Sequence, residues 1–143
     1  MKVVICGSPQ WTRAEIVKDE IVRLRRESLK SGKKLLIIHG GEPGPETVAQ
    51  EYCREIGVDT ILQEAVRRRG EDSYFRRNEL ILVYHKPDLV VGFAHSFKES
   101  KIVTDMLTRA REKGIEIRPL DYKAITTYNT DGTPIGHYKC GLL

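Results

Sequence analysis

Five short apolar runs, rich in β-branched residues, punctuate the chain: Val3 to Cys6, Leu35 to Ile38, Val58 to Leu62, Leu89 to Val91 and Ile115 to Ile117. Each is too short for a helix; the first, second and fourth are unbroken, whereas Val58 to Leu62, with Asp59 and Thr60, is a weaker strand signal and Ile115 to Ile117 encloses Glu116. Unbroken apolar runs of this length read as strands covered on both faces. Between consecutive runs lie turn residues and a segment with helical spacing. A strand–helix alternation repeated in this way dictates a parallel sheet with helices on both faces. The expectation is an α/β, Rossmann-like three-layer sandwich with a five-stranded, mainly parallel sheet; if its order is 3-2-1-4-5, strands one and four flank the point where the order reverses.

The intervening segments carry their own signals. Thr12 and Glu15 have capping-box spacing, and Ile16, Val17, Ile21 and Leu24 follow at helical intervals before Gly32. Gly44-Pro45 predicts a second helix start, with Val48, Ala49, Tyr52, Cys53 and Ile56 as its apolar stripe and Gly57 as its C-terminal stop. A third helix is expected from about Ser73 to Tyr84, ended by Pro87. A fourth starts near Glu99, buries Ile102, Val103, Met106, Leu107 and Ala110, and stops at Gly114. Pro119 is expected to close strand five. Residues 1–119 form one domain on this reading, and 120–143 a C-terminal extension. In that extension "YNTDGTPIGHY" holds an Asp-Gly turn signal, which leaves a small hairpin and a loose tail both open.

Composition narrows the function classes. With 143 residues, 40% hydrophobic and 31% charged, the chain can build one real core. No run approaches the roughly 20 apolar residues of a membrane span, and no leader peptide is expected. Cys6, Cys53 and Cys140 are odd in number and lack C-x-x-C spacing, so neither a disulfide framework nor a zinc site is expected, and a reducing cytoplasm is. The four histidines, His39, His85, His95 and His137, have no metal-ligand spacing. Twenty-four basic against 20 acidic residues give a net charge of +4, too mild to point to nucleic acid.

Open parallel sheets bind ligands beyond the carboxyl ends of their strands, where strand order reverses. That rule selects Gly7-Ser8 after strand one, His39-Gly40-Gly41 after strand two, and Gly92-Phe93-Ala94-His95-Ser96 after strand four. In "HGGEPGPE", Gly40, Gly41 and Gly44 precede a helix start, so several backbone N–H groups could face a phosphate or carboxylate. The same glycines could simply permit a tight turn. Glu42 and Glu46 would repel phosphate but could accept hydrogen bonds from ribose hydroxyls or base N–H groups; Glu46 could equally complement the helix dipole. "RRRGEDSYFRR" holds five arginines. Arg67, Arg68 and Arg69 read as a solvated run, whereas Arg76, Arg77 and Asn78 lie in the first turns of a helix aimed at the carboxyl edge. Trp11 either plugs the core or covers a planar base. Ser8, Ser96 and Ser100 either donate to phosphate or cap helices.

Taken together and in this order, "VVICGSPQWT", "IIHGGEPGPE", "RRN" and "KPDLVVGF" resemble the YspA-like branch of the SLOG superfamily, related to the LOG and DprA proteins. The resemblance spans about residues 1–119. It implies a Rossmann-like domain for nucleotides or nucleotide-derived signals, and by matching positions it points to Gly7, Ser8, Gly40, Gly41, Gly44, Arg77 and Asn78. It also suggests pairing of chains into a homodimer or higher oligomer. Two departures stand out. The family's Arg-Gly-x-Asp reads Pro43-Gly44-Pro45-Glu46 here, and the loop after strand four, "AHSFKESK", lacks the family's glycine-rich phosphate-cupping loop and the Pro-Gly-Gly-x-Gly-Thr-x-x-Glu motif of LOG-type phosphoribohydrolases. In their place Ser96, Lys98 and Ser100 are candidates for ligand contact.

The expectation is therefore a domain that binds a nucleotide-type small molecule, to sense or sequester it, without a required cofactor, metal, membrane or nucleic-acid partner. The ligand-binding candidates are Gly7, Ser8, Trp11, Gly40, Gly41, Gly44, Arg76, Arg77, Asn78, Phe93, Ser96 and Ser100. The alternative is an enzyme, an N-glycoside hydrolase or a nucleoside or phosphoribosyl transferase, with Glu42 or Glu46 in catalysis.

Overall fold

The computed structural model describes residues 1–66 and 69–122, together with the backbone of 127–128 and 134–135. Strand β1 (Lys2–Gly7) leads into α1 (Ala14–Lys30), then β2 (Leu36–His39), α2 (Pro45–Ile56), β3 (Asp59–Leu62), α3 (Glu71–His85), β4 (Leu89–Ala94), α4 (Lys101–Glu112) and β5 (Glu116–Asp121). The five strands form one parallel sheet in the order β3-β2-β1-β4-β5. The Rossmann-like arrangement is the one expected from the alternation, and the order meets the condition that places β1 and β4 at the reversal. Among the described residues, no helix is long and apolar enough to cross a membrane.

Alternation along the central strands divides the core in two. Val3 and Ile5 of β1, Ile37 of β2 and Val91 and Phe93 of β4 face α1 and α2. Val4 and Cys6, Ile38 and Val90 face α3 and α4. Both sides of β1 and β4 are thereby dry, which is why their sequences are unbroken apolar runs. On the second side Gly92 lets α4 come close: a Cβ there would lie 2.9 Å from Leu107 Cδ1. That contact fixes where the first turn of α4 emerges at the carboxyl edge.

Three local expectations are corrected. The Thr12–Glu15 capping box does not form: Arg13 is the N-cap residue of α1 and makes no side-chain cap bond. Thr12 Oγ1 instead meets the Tyr122 hydroxyl at 3.2 Å, and Glu15 pairs with Arg13. Helix α3 starts at Glu71, two residues early, behind Gly70 at φ 77°. Strand β5 does not close at Pro119, which pairs with Gly92, but runs on to Asp121, and Leu120 is fully buried. Proline is tolerated because β5 is an edge strand, where one N–H has no ladder partner to lose. Beyond it, β6 (Thr127–Tyr128) and β7 (Pro134–Ile135) pair antiparallel, so the hairpin is present. Arg67, Arg68, His137 and Cys140 lie outside the described residues.

Candidate functional site

The strand order reverses between β1 and β4, and a cleft of about 380 Å³ opens there. Its walls come from four places along the chain. The end of β1 and its loop supply Cys6, Gly7, Ser8, Pro9 and Gln10. The turn into α2 supplies Glu42 and Glu46, the start of α3 supplies Glu71, Tyr74 and Arg77, and the start of α4 supplies residues 99–103.

A seam of small residues sets the floor. A Cβ at Gly7 would overlap the Pro45 ring, and one at Gly44 would lie 2.8 Å from the Ser8 carbonyl oxygen. Gly44 also sits at φ 98°, a conformation that disfavours residues with a Cβ. The first turn of α2 therefore nests directly against the end of β1. This closes the anion cradle that the glycine turn suggested. The Gly40 N–H donates to Glu46 Oε1 at 2.5 Å, and the Gly41 N–H to His39 Nδ1 at 3.1 Å. The Ser8 N–H donates to the Phe93 carbonyl at 2.8 Å. The Ser8, Gly40 and Gly41 amides thus already have acceptors, and the group seated in the cradle is the chain's own Glu46.

Glu46 is only 3% exposed. Burial is the largest influence on it and pushes its pKa up to about 7, against the opposing pull of the Arg77 guanidinium and the Gly40 N–H. Arg77, 5% exposed, fits because Gly40 has no side chain: a Cβ there would overlap the guanidinium. Arg77 Nε donates to Asn78 Oδ1 at 3.3 Å, its Cζ lies 5.6 Å from the centre of the Tyr74 ring, and Glu42 Oε1 is 4.0 Å from Nη1. Arg77 Nη1 is buried with no hydrogen-bond partner. Such an unsatisfied donor is costly unless something else engages it.

The opposite wall is the N-terminus of α4. Its N-cap residue, Ser100, makes no side-chain cap bond, so the first-turn amides have no acceptor from that side chain. Lys101 follows at the first helical position. Counted by charge, the lining has four carboxylates, Glu42, Glu46, Glu71 and Glu99, against Arg77 and Lys101. Positive potential is thus confined to the α4 end and to Arg77, and the rest of the cleft is a field of acceptors.

Of the sequence candidates, Gly7, Ser8, Glu42, Glu46, Arg77 and Ser100 line this cleft. The others serve it indirectly or lie elsewhere. Gly40 makes room for Arg77, Gly44 seats α2, and Gly41, at φ 74°, turns toward Leu62. Trp11 is a core plug: its ring stands edge-on to Phe93 and Tyr122, with centroids 5.3 and 5.2 Å away, and its indole N–H donates to the Arg13 carbonyl. Phe93 is wholly buried beneath it. Asn78 is a brace, donating to the Ile102 carbonyl and to Asp105 Oδ2, each at 3.0 Å, and so ties α3 to α4. Arg76 points outward into a different cavity. The Ser96 carbonyl accepts from the Glu99 N–H in the loop before α4, and His95 stacks on Tyr122. Neither lines the cleft. The sequence reading missed Tyr74, Glu71 and Lys101. Tyr74 was accessible in principle, since a residue three before Arg77 shares its helix face. Among the described residues, no group of three or more His, Cys, Asp or Glu is arranged to hold a metal ion.

Residues 1–70 match the model of the YspA, cpYpsA-related SLOG family. The likeness read from the sequence holds over that stretch, from β1 through β3 and the first wall of the cleft. Solved structures extend the fold comparison over the remainder. DNA processing protein A (DprA) from Streptococcus pneumoniae superposes with a TM-score of 0.66 at 18% identity, over 92% of this chain and 52% of that one. This chain therefore spans about half the length of DprA. TM1055, a structural-genomics target, gives a TM-score of 0.56 at 19% identity, over 81% of this chain and 71% of that one. MurG from Acinetobacter baumannii gives 0.54 at 11% identity, over 89% and 36%. At these identities the likeness is one of fold. No curated protein sequence matches the chain. The SLOG match and the Rossmann-like neighbours are consistent with a nucleotide-related ligand.

Proposed function

We propose that the cleft binds a nucleotide-type small molecule, to hold or sense it. The phosphate sits at the N-terminus of α4, against the first-turn amides, Ser100 and Lys101. The sugar hydroxyls and base N–H groups face Glu42 and Glu46, and the base lies near Tyr74. One observation carries the reading: a single cleft at the switch point joins a helix N-terminus lacking a side-chain cap bond to a buried guanidinium, Arg77, whose Nη1 lacks a hydrogen-bond partner. Between them lie carboxylates, which suit a ligand with one anionic end and several donors. The separation of charge also speaks against a strand of nucleic acid, whose repeated phosphates would meet Glu42, Glu71 and Glu99. In this reading the ligand is cargo, and no resident cofactor is required.

A thermal-shift series with nucleoside mono- and diphosphates, cyclic nucleotides and ADP-ribose tests the proposal. A concentration-dependent rise in melting temperature that is lost in Arg77→Ala is expected. No shift with any of them at millimolar concentration overturns it.

Glu46 favours a second reading, an N-glycoside hydrolase or phosphoribosyl transferase. A carboxyl with a pKa near 7 beside the Glu42 carboxylate can exchange a proton at neutral pH. Release of free base from nucleoside monophosphates, abolished in Glu46→Gln, would establish it; intact nucleotide after prolonged incubation removes it.

A further inference from the structure

Two buried groups on the cleft wall each fall short of the partner their charge requires, and in opposite ways. Glu46, 3% exposed, has the Gly40 N–H and the field of Arg77, yet burial outweighs both and raises the pKa of the carboxyl to about 7. Arg77, 5% exposed, has a buried Nη1 without a hydrogen-bond acceptor. The two meet at one point: a Cβ on Gly40 would overlap Nη1 and lie 3.0 Å from Glu46 Oε1.

A ligand that completes this corner has to bring a positive charge for Glu46 and a neutral acceptor for Arg77. A cation can replace the proton on Glu46: in a site little screened by water, a charge-assisted contact is stronger than one from a neutral N–H. An anion here would answer Arg77 but would face Glu46 and also Glu42, whose Oε1 lies 4.0 Å from Nη1. The other groups around Glu46 do not reverse this balance. Cys6, on β1, stays a neutral thiol because burial pushes its pKa far up. Glu71 at the start of α3 and Glu99 before α4 add negative potential, which Lys101 opposes at the α4 end. Tyr74 adds an aromatic wall beside Arg77, suited to a flat ring that carries positive charge.

Resting on the nucleotide reading of the cleft, we infer that its preferred ligand is a nucleoside monophosphate whose base carries a positive charge, set against Glu46, and a carbonyl oxygen, set against Arg77 Nη1. The phosphate stays at the N-terminus of α4, so the two charges of the ligand are parted as the charges of the cleft are. Nicotinamide and N7-methylguanine are bases of this kind. Each is cationic when joined to ribose, and each carries a carbonyl acceptor beside N–H donors that a carboxylate can receive.

Titration calorimetry at neutral pH with two matched pairs tests it. Nicotinamide mononucleotide is compared with its reduced dihydro form, and N7-methylguanosine monophosphate with guanosine monophosphate. Within each pair the phosphate and ribose are the same and the charge of the base differs. In at least one pair the cationic member should bind about tenfold more tightly, and that pair identifies the base. Glu46→Gln keeps an acceptor for the Gly40 N–H, so unchanged circular dichroism is expected, and the preference for the cation should disappear. Equal or weaker binding of the cationic member in both pairs overturns the inference, while binding of the uncharged bases leaves the cleft a nucleotide site. A preference that survives undiminished in Glu46→Gln overturns it too. If no member of either pair binds, the nucleotide reading and this inference fall together.

Discussion

Two glutamates are buried almost equally, Glu20 at 2% and Glu46 at 3% exposure, and the protein treats them in opposite ways. Glu20, on α1, is held by two guanidiniums: Arg23 Nη1 at 3.0 Å, and Arg118, which reaches across from β5 and also meets Glu27. Each carboxylate oxygen of Glu20 has its own cationic donor. Glu46, at the carboxyl edge, has the Gly40 amide and the field of Arg77, and burial still outweighs both. Arg77 in turn keeps a buried N–H without an acceptor. The first arrangement closes on itself and joins α1 to an edge strand. The second is left incomplete within a cleft, which is the pattern expected where a ligand supplies the remaining partners. Burial of a charge is thus not the mark of a site; incomplete compensation beside open space is.

Substitutions can break this contrast. Glu20→Ala leaves Arg118 partly buried with only Glu27, and should cost about 3 kcal/mol in urea denaturation. A loss under about 1 kcal/mol would place Glu20 among weakly coupled surface pairs.

Glu46 should show its character through pH. Its folded-state pKa is raised from 4.5 to about 7, so its contribution is most favourable below pH 4.5 and is lost as pH rises to 7. Across that window the loss is on the order of 3 kcal/mol. Glu46→Gln should flatten this decline and be no less stable than the parent at pH 8. If instead it is as destabilising there as Glu20→Ala, the two glutamates are alike and the contrast fails.

Asn78→Ala removes the brace between α3 and α4 and an acceptor for Arg77, with an expected cost of about 2 kcal/mol. If the brace positions Arg77, ligand affinity measured by calorimetry should fall with it. The smallest effect is expected at Lys101→Glu, which places like charge against the proposed phosphate and should weaken nucleotide binding about tenfold, or 1.4 kcal/mol, without changing the melting temperature of the free protein. Equal affinity in that variant would move the phosphate away from α4.

Much of this was legible in the residues. The doubly covered strands announced themselves in Val3 to Cys6 and Leu89 to Val91, and with the topology rule they led to the cleft between β1 and β4. The SLOG likeness lay in the same stretches. Gly7, Ser8, Glu42, Glu46, Arg77 and Ser100 could be named because they follow strands or open helices at that edge. Three other candidates turn away from the cleft for one reason: Trp11, for which both a core plug and a base cover were open, Phe93 and Asn78 sit at the right edge but face inward, and orientation is set by what packs against them.

What the amino-acid order determined alone was therefore the architecture and its favoured edge, since periodicity, caps and turn residues act over a few neighbours. What the tertiary structure decided was occupancy. Whether the Gly40 amide is open or taken depends on a carboxylate six residues on, and room for Arg77 depends on a missing side chain 37 positions earlier. Hydrogen bonds and excluded volume act through space, so only the folded chain could give the glycine turn its own glutamate and leave the N-terminus of α4 without a side-chain cap bond.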